Sequence, residues 1–155
     1  MPVKIAEILD PAAIVADLKG TGKAEVLAEL ADGLIAANPS LQRGEVLRVL
    51  LEREALGSTG IGDGVAIPHG KLKRLDNQLI AFGLSRKGVD FDAMDGKPAR
   101  LFFMLIAPED SVGLHLKTLA RISKLLKAPL VRERLQRAAD RQEIHRIISE
   151  EEENL

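Results

Sequence analysis

The apolar positions of this chain follow two rhythms, and the places where one gives way to the other outline the fold. Val26, Leu27, Leu30, Leu34 and Ile35 recur at helical spacing, with Thr21 placed to cap the start and Asn38-Pro39 to stop it. A second helix is predicted from about Arg43 to Leu56, ending at Gly57. The middle of the chain changes period. Val65-Ala66-Ile67, Leu79 to Leu84 and Leu101 to Ile106 are short apolar runs separated by Gly, Asp, Asn and Pro, the pattern of buried strands. Ile14-Val15 adds a candidate edge strand. From Leu114 the helical spacing returns, over Leu114 to Lys127, Leu130 to Ala138 and a third helix opening at Asp140, where Asp140 and Glu143 make a capping box. Helices, then strands, then helices predict one α/β sandwich whose sheet is flanked by helices on both faces. That single domain is expected to span residues 1–155, with a structured core over about 5–150. Glu150 to Glu153, a run of four glutamates, is expected as a solvated, fraying acidic tail.

Composition removes several classes of function. A chain of 155 residues can bury a proper core without staples. Its net charge of -1 and pI near 6.3 supply no field that would draw nucleic acid or an anionic membrane surface. There is no cysteine, hence no disulfide, no thiolate metal site and no cysteine nucleophile. The opening MPVKIAEILDP carries Glu7 and Asp10 within its apolar stretch and lacks the apolar centre of an export signal. The longest apolar run, Leu101 to Ala107, is seven residues, against roughly 20 needed to span a bilayer. A cytoplasmic protein with no membrane insertion is the expectation.

Candidate chemistry concentrates in GSTGIGDGVAIPHGK, from Gly57 to Lys71. Gly57, Gly60, Gly62, Gly64 and Gly70 fall within fifteen residues, a density that marks positive φ or close backbone approach. Pro68 fixes its own φ and restricts Ile67, so His69 is presented on stiffened backbone. Nucleotide readings fail here on spacing. A dinucleotide fingerprint would use Gly60 and Gly62, but its third glycine falls on Val65 and a strand follows in place of a helix. A P-loop ending at Gly70-Lys71 would need its first glycine at Val65 and a hydroxyl at Leu72.

Two further residues lie inward on their helices. Arg53 shares the stripe of Val46, Val49 and Leu50, while Glu52 points away. An inward arginine must snorkel, pair or meet an anion, because an isolated buried charge is expensive. His115 tops the stripe of Leu119, Ile122 and Leu126, with Lys117, Arg121 and Lys124 on the opposite, solvated face. Taken alone it reads as a core histidine. His145 lies off the stripe of Ile144, Ile147 and Ile148 and reads as a surface residue without a role. Together, His69, Arg53 and His115 suit a phosphoryl group: a neutral imidazole is a nucleophile at pH 7, a guanidinium fork matches phosphate oxygens, and a second imidazole donates a hydrogen bond. No acidic residue is spaced with either histidine to complete a metal-ligand motif, and no cofactor is implied.

The Gly57–Lys71 segment closely resembles the active-site segment of IIA components of the phosphoenolpyruvate-dependent phosphotransferase system, in the mannitol/fructose family and its nitrogen-regulatory branch. The resemblance extends over about residues 5 to 150. It includes R-E-x-x-G-S-T-G-I-G from Arg53, F-D-A-M-D-G-K-P-A from Phe91, L-F-F-M-L-I-A-P from Leu101 and H-L-x-x-L-A from His115. It implies a mixed sheet. It also implies that His69 accepts a phosphoryl group, through Nε2, from the phosphohistidine of HPr or an HPr-like carrier. By the same match Arg53 holds the phosphoryl oxygens, His115 hydrogen-bonds the phosphohistidine, and Gly57, Ser58, Thr59, Gly60, Gly62, Gly64, Pro68 and Gly70 frame the site. Asp63 departs from the regulatory branch, which usually carries asparagine there, and is expected to point outward from its turn. Two roles follow from the resemblance: a regulator that binds or releases target proteins according to its charge, or a relay to a sugar-specific IIB domain. The sequence has no IIB or membrane segment and resembles the regulatory branch most, so regulation is the expectation. Retention of all three site residues argues against a binding module that has lost phosphorylation.

Overall fold

The computed structural model describes residues 4–155, so the first three residues of the expected domain lie outside the described residues. In chain order the elements are α1 (Ile5–Ile8), β1 (Ile14–Val15), α2 (Lys23–Ala37), α3 (Arg43–Ala55), β2 (Gly60–Gly62), β3 (Val65–Ala66), β4 (His69–Leu72), β5 (Leu79–Val89), β6 (Ala99–Pro108), α4 (Val112–Lys127), α5 (Pro129–Gln136) and α6 (Arg141–Glu152). One sheet runs in the order β1-β5-β6-β3-β2, with β4 also paired to β6. It is mixed: β5 is antiparallel to β6 and β2 to β3, whereas β1 runs parallel to β5, and β3 and β4 run parallel to β6.

The apolar run of the sequence forms the centre. Residues 101–108 of β6 are all buried, where a strand with one wet face would alternate. Register places Gly83 and Gly70 on one face of the sheet, opposite Phe102 and Ile106 of β6. Both glycines admit helices closely: a Cβ on Gly83 would lie 2.8 Å from Leu30 of α2, and one on Gly70 would lie 2.9 Å from Val49 of α3. The helices α4 to α6 complete the opposite layer. There Phe82 and Phe103, directly paired across β5 and β6, meet edge to face at 4.8 Å. Among the described residues, no helix is long and apolar enough to cross a membrane.

Several expectations are corrected. Thr21 does not cap α2: Gly22 is the cap residue and no side chain fills that role, while the Thr21 hydroxyl bonds Glu25. β5 runs on to Val89 through Ser85, Arg86 and Lys87, and β2 and β4 are strands although their sequences do not alternate. In the capping box, Asp140 accepts from the Glu143 amide at 2.9 Å, but Glu143 reaches back to Ala139.

The glutamate run is not a fraying tail. Helix α6 continues to Glu152, which is buried and accepts from the free amides of Ile5 and Ala6 at the start of α1. Arg121 donates to the same carboxylate at 2.8 Å, so it is a structural partner and not part of a solvated face. Glu150 and Glu151 pair with Arg134, and Glu153 approaches Lys4. His145 is half-buried, and its Nε2 lies 2.9 Å from the carbonyl of Ala6. A carboxylate at a helix start satisfies orphan donors and complements the dipole, which explains why acidic residues stay ordered here. Replacing Glu152 by Ala should lower unfolding free energy by about 3 kcal/mol in urea titrations, because it strands two amides and a half-buried arginine. A loss below about 0.5 kcal/mol, the scale of an ordinary surface change, would show the tail to be unattached.

Candidate active site

Helix α3 and strand β4 touch where Gly70 has no side chain to hold them apart. That contact brings the last turn of α3 beside the first residue of β4. Arg53, one turn beyond Val49, thereby reaches His69: its Nε lies 3.3 Å from the imidazole Nε2. A second arm of the guanidinium, Nη1, donates to the carbonyl of Gly57 at 2.8 Å.

The other ring nitrogen of His69 determines the tautomer. Nδ1 lies 2.8 Å from the carbonyl oxygen of Ile67, which can only accept, so Nδ1 carries the hydrogen and Nε2 keeps its lone pair. Burial pushes the imidazole below its ordinary pKa; the Ile67 carbonyl opposes this, and the Arg53 charge adds to it. His115 stands beside it, ring centroids 5.4 Å apart and planes tilted by 56°. Burial foremost, then the neighbouring His69 and Lys71, hold His115 down to about 4. Its Nδ1 is buried without a partner among the described residues, which leaves Nε2 to serve the open side.

His69 stands between two open depressions. The larger, about 470 Å³, is lined by Arg53, His69, Gly70, Lys71, His115 and the exposed apolar side chains of Leu56 and Leu116. The smaller, about 330 Å³, takes in Ser58, Thr59, Ile61 and Ser123. Arg53, His69 and Leu119 line both.

Residues 7–151 match the family described as phosphoenolpyruvate-dependent sugar phosphotransferase system, EIIA 2. The chain belongs to this EIIA 2 family. A nitrogen regulatory protein from Bradyrhizobium diazoefficiens is 40% identical over 145 residues, covering 94% of each chain. The fructose-specific EIIABC component of Bacillus subtilis is 38% identical over 148 residues, 96% of this chain and 23% of that protein. The crystal structure of nitrogen regulatory protein IIA-Ntr from Neisseria meningitidis aligns with a TM-score of 0.86 at 37% identity, covering 93% of this chain and 98% of that one.

Within this EIIA 2 fold, the framing segment divides its labour. Gly62 and Gly64 shape the β2–β3 hairpin, whose tip, Asp63-Gly64, has φ values of 57° and 79°, the paired positive values of a tight hairpin turn. Asp63 is exposed there, as expected, with its amide on Asp95. Gly60 backs onto Ala93, and the Ser58 hydroxyl bridges the Phe91 carbonyl and the Gly60 amide. Of the five glycines only Gly70 lines the larger depression. His69 itself belongs to a strand and not to a loop.

One group escaped the sequence reading. Glu54, beside Arg53, is buried; it accepts from the Thr59 amide and hydroxyl and pairs with Lys23 at 2.9 Å. Its signal was present, since Glu54 lies four residues after Leu50 and eight after Val46, on the same apolar stripe as Arg53. The framing residue Thr59 thus faces inward to Glu54, 4% exposed, even though its segment is rich in glycine.

Both site histidines favour the neutral form in the folded state. Between the ordinary histidine pKa of 6.5 and the value near 4 of His115, the unfolded chain therefore binds more protons. Stability should be complete above that window and fall as pH drops through it. His115→Asn should flatten this slope in denaturant titrations from pH 7 to pH 4; an unaltered slope would assign the loss to other groups.

Proposed function

We propose that this chain accepts a phosphoryl group on Nε2 of His69 from the phosphohistidine of an HPr-like carrier and acts as a nitrogen-branch regulatory phosphoprotein. The observation that carries the reading is the Nδ1–H···O bond to Ile67 at 2.8 Å, which leaves Nε2 unprotonated, its lone pair accepting from Arg53 Nε at 3.3 Å beside His115 and the open depression. A nucleophile in that state attacks phosphorus without first losing a proton. As the Nε2–P bond forms, the carrier's N–P bond breaks and its electron pair returns to the carrier imidazole. The proton stays on Nδ1 throughout, donated to the Ile67 carbonyl. Arg53 turns its Nε from the lone pair to the phosphoryl oxygens, with Nη1 still anchored on Gly57. His115 donates from Nε2, and Lys71 adds positive charge. Positioning and charge neutralisation are the main requirements of phosphoryl transfer, and this site supplies both.

Leu56 at 85% and Leu116 at 60% exposure give the rim an apolar surface on which a carrier can dock. A dianion installed at its centre changes what that rim can bind, which is the physical basis of a regulatory switch. The regulatory reading is supported by a nitrogen regulatory relative matched along 94% of its length.

Incubation with phosphoenolpyruvate, enzyme I and an HPr-like carrier should give an acid-labile, alkali-stable label on the wild type and none on His69→Ala. Label retained by His69→Ala would overturn the assignment. Arg53→Lys, which keeps charge but loses the fork, should slow transfer on the order of 10²-fold with nearly unchanged melting. Rapid onward transfer from the phosphorylated chain to a fructose IIB domain would favour the relay role; slow hydrolysis alone is expected.

A further inference from the structure

Beneath the site lies a carboxylate in a place where packing alone would be better served by a leucine. Glu54 is 8% exposed, and a charge taken out of water must be repaid by its partners. Those partners are specific. Both carboxylate oxygens lie 3.1 Å from the Thr59 amide, and the Thr59 hydroxyl donates to one of them. Lys23, from the first turn of α2, approaches the other side at 2.9 Å. Lys23 is itself placed by Asp92 at 3.0 Å and by the Phe91 ring, whose centroid lies 5.2 Å from its Nζ.

The line of contacts continues into the site. The Thr59 carbonyl accepts the Ile67 amide at 3.0 Å, and the Ile67 carbonyl accepts the Nδ1 hydrogen of His69 at 2.8 Å. Lys23, Glu54, Thr59, Ile67 and His69 are thus joined by successive polar contacts. The same carboxylate closes the loop containing Gly57, whose carbonyl anchors Arg53 and whose φ of 151° is a conformation few residues other than glycine adopt.

We infer that Glu54, set by Lys23, is a positioning residue: by holding Thr59 it fixes the Ile67 carbonyl that keeps His69 in the Nδ1–H form with Nε2 outward. The inference rests on the acceptor role given to His69 above. Glu54 touches neither the imidazole nor the incoming phosphoryl group, and it acts only through the backbone it ties down.

The test compares wild type with Glu54→Gln, which keeps the size but presents an NH₂ donor where Lys23 or Thr59 needs an acceptor. Two-bond 15N–1H correlations of the His69 ring report the tautomer. Rapid mixing with phosphorylated HPr-like carrier, over a range of carrier concentrations, reports the transfer rate. The wild-type ring should show the Nδ1–H form and the variant a mixture of tautomers. The maximal rate should fall roughly tenfold, as for outer-shell partners generally, while the half-saturating carrier concentration stays the same. An unchanged tautomer, whether the rate holds or falls with the folded fraction, overturns the inference, as does a change confined to the half-saturating concentration. Should Glu54→Gln unfold at the assay temperature, Lys23→Met frees one side of the carboxylate and carries the same expectation; wild-type values there overturn it equally. A wild type that takes up no phosphoryl group would sink the acceptor reading, and the tautomer comparison would still decide the role of Glu54.

Discussion

A ten-residue strand buried on both faces must find partners for its backbone along both edges, and β6 imposes that demand on everything around it. β5 serves one edge. The other is served by a single stretch of chain in two pieces that keep one register: Val65 lies opposite Leu101, and four residues on His69 lies opposite Leu105. Between them Pro68 has no amide to give, but its carbonyl accepts the Leu105 amide at 3.0 Å, so the ladder survives the interruption. The first residue after that interruption is the histidine. Its place is therefore dictated by the needs of a neighbouring strand, and Gly70 then admits the helix that brings Arg53.

The electrostatics follow from this geometry. Two imidazoles 5.4 Å apart, partly cut off from water and flanked by Arg53 and Lys71, are most stable uncharged. The surroundings that discourage protonation of the rings favour the arrival of an anion. A phosphoryl dianion would reverse the balance for His115, because an opposite charge at short range stabilises the imidazolium. The site is thus poised by a surplus of positive potential that the histidines themselves do not carry.

Much of this was legible along the chain. Helical stripes announced α2, α3 and α4 to α6, and they placed Arg53 and His115 inward; the runs at Leu79 and Leu101 announced the two central strands. β2 and β4 were not legible because Gly-Ile-Gly and His-Gly-Lys-Leu acquire strand geometry from their neighbours and not from any alternation of their own. The apolar run stops at Leu84, yet β5 continues through Ser85, Arg86 and Lys87 toward the Val89–Ala99 pairing. Glu152 was read only as part of a solvated acidic run, and Glu54 was not singled out. Each is buried because it answers unpaired amides from a distant or sharply turning segment, a partnership that period and polarity do not encode.

The clasp at Glu152 also has a consequence in time. It joins Ile5 to a residue 147 positions later, so its loop closes only after helix α6 exists, and contacts of such separation are among the slowest to form. During synthesis α1 has no carboxylate to receive its first amides until the last helix has emerged. The sheet and the Arg53–His69 contact involve nearer neighbours and can assemble earlier. Completion of helix α6 is thus recorded at its seam with α1, and loss of Glu152 would leave the amides of Ile5 and Ala6 without their acceptor.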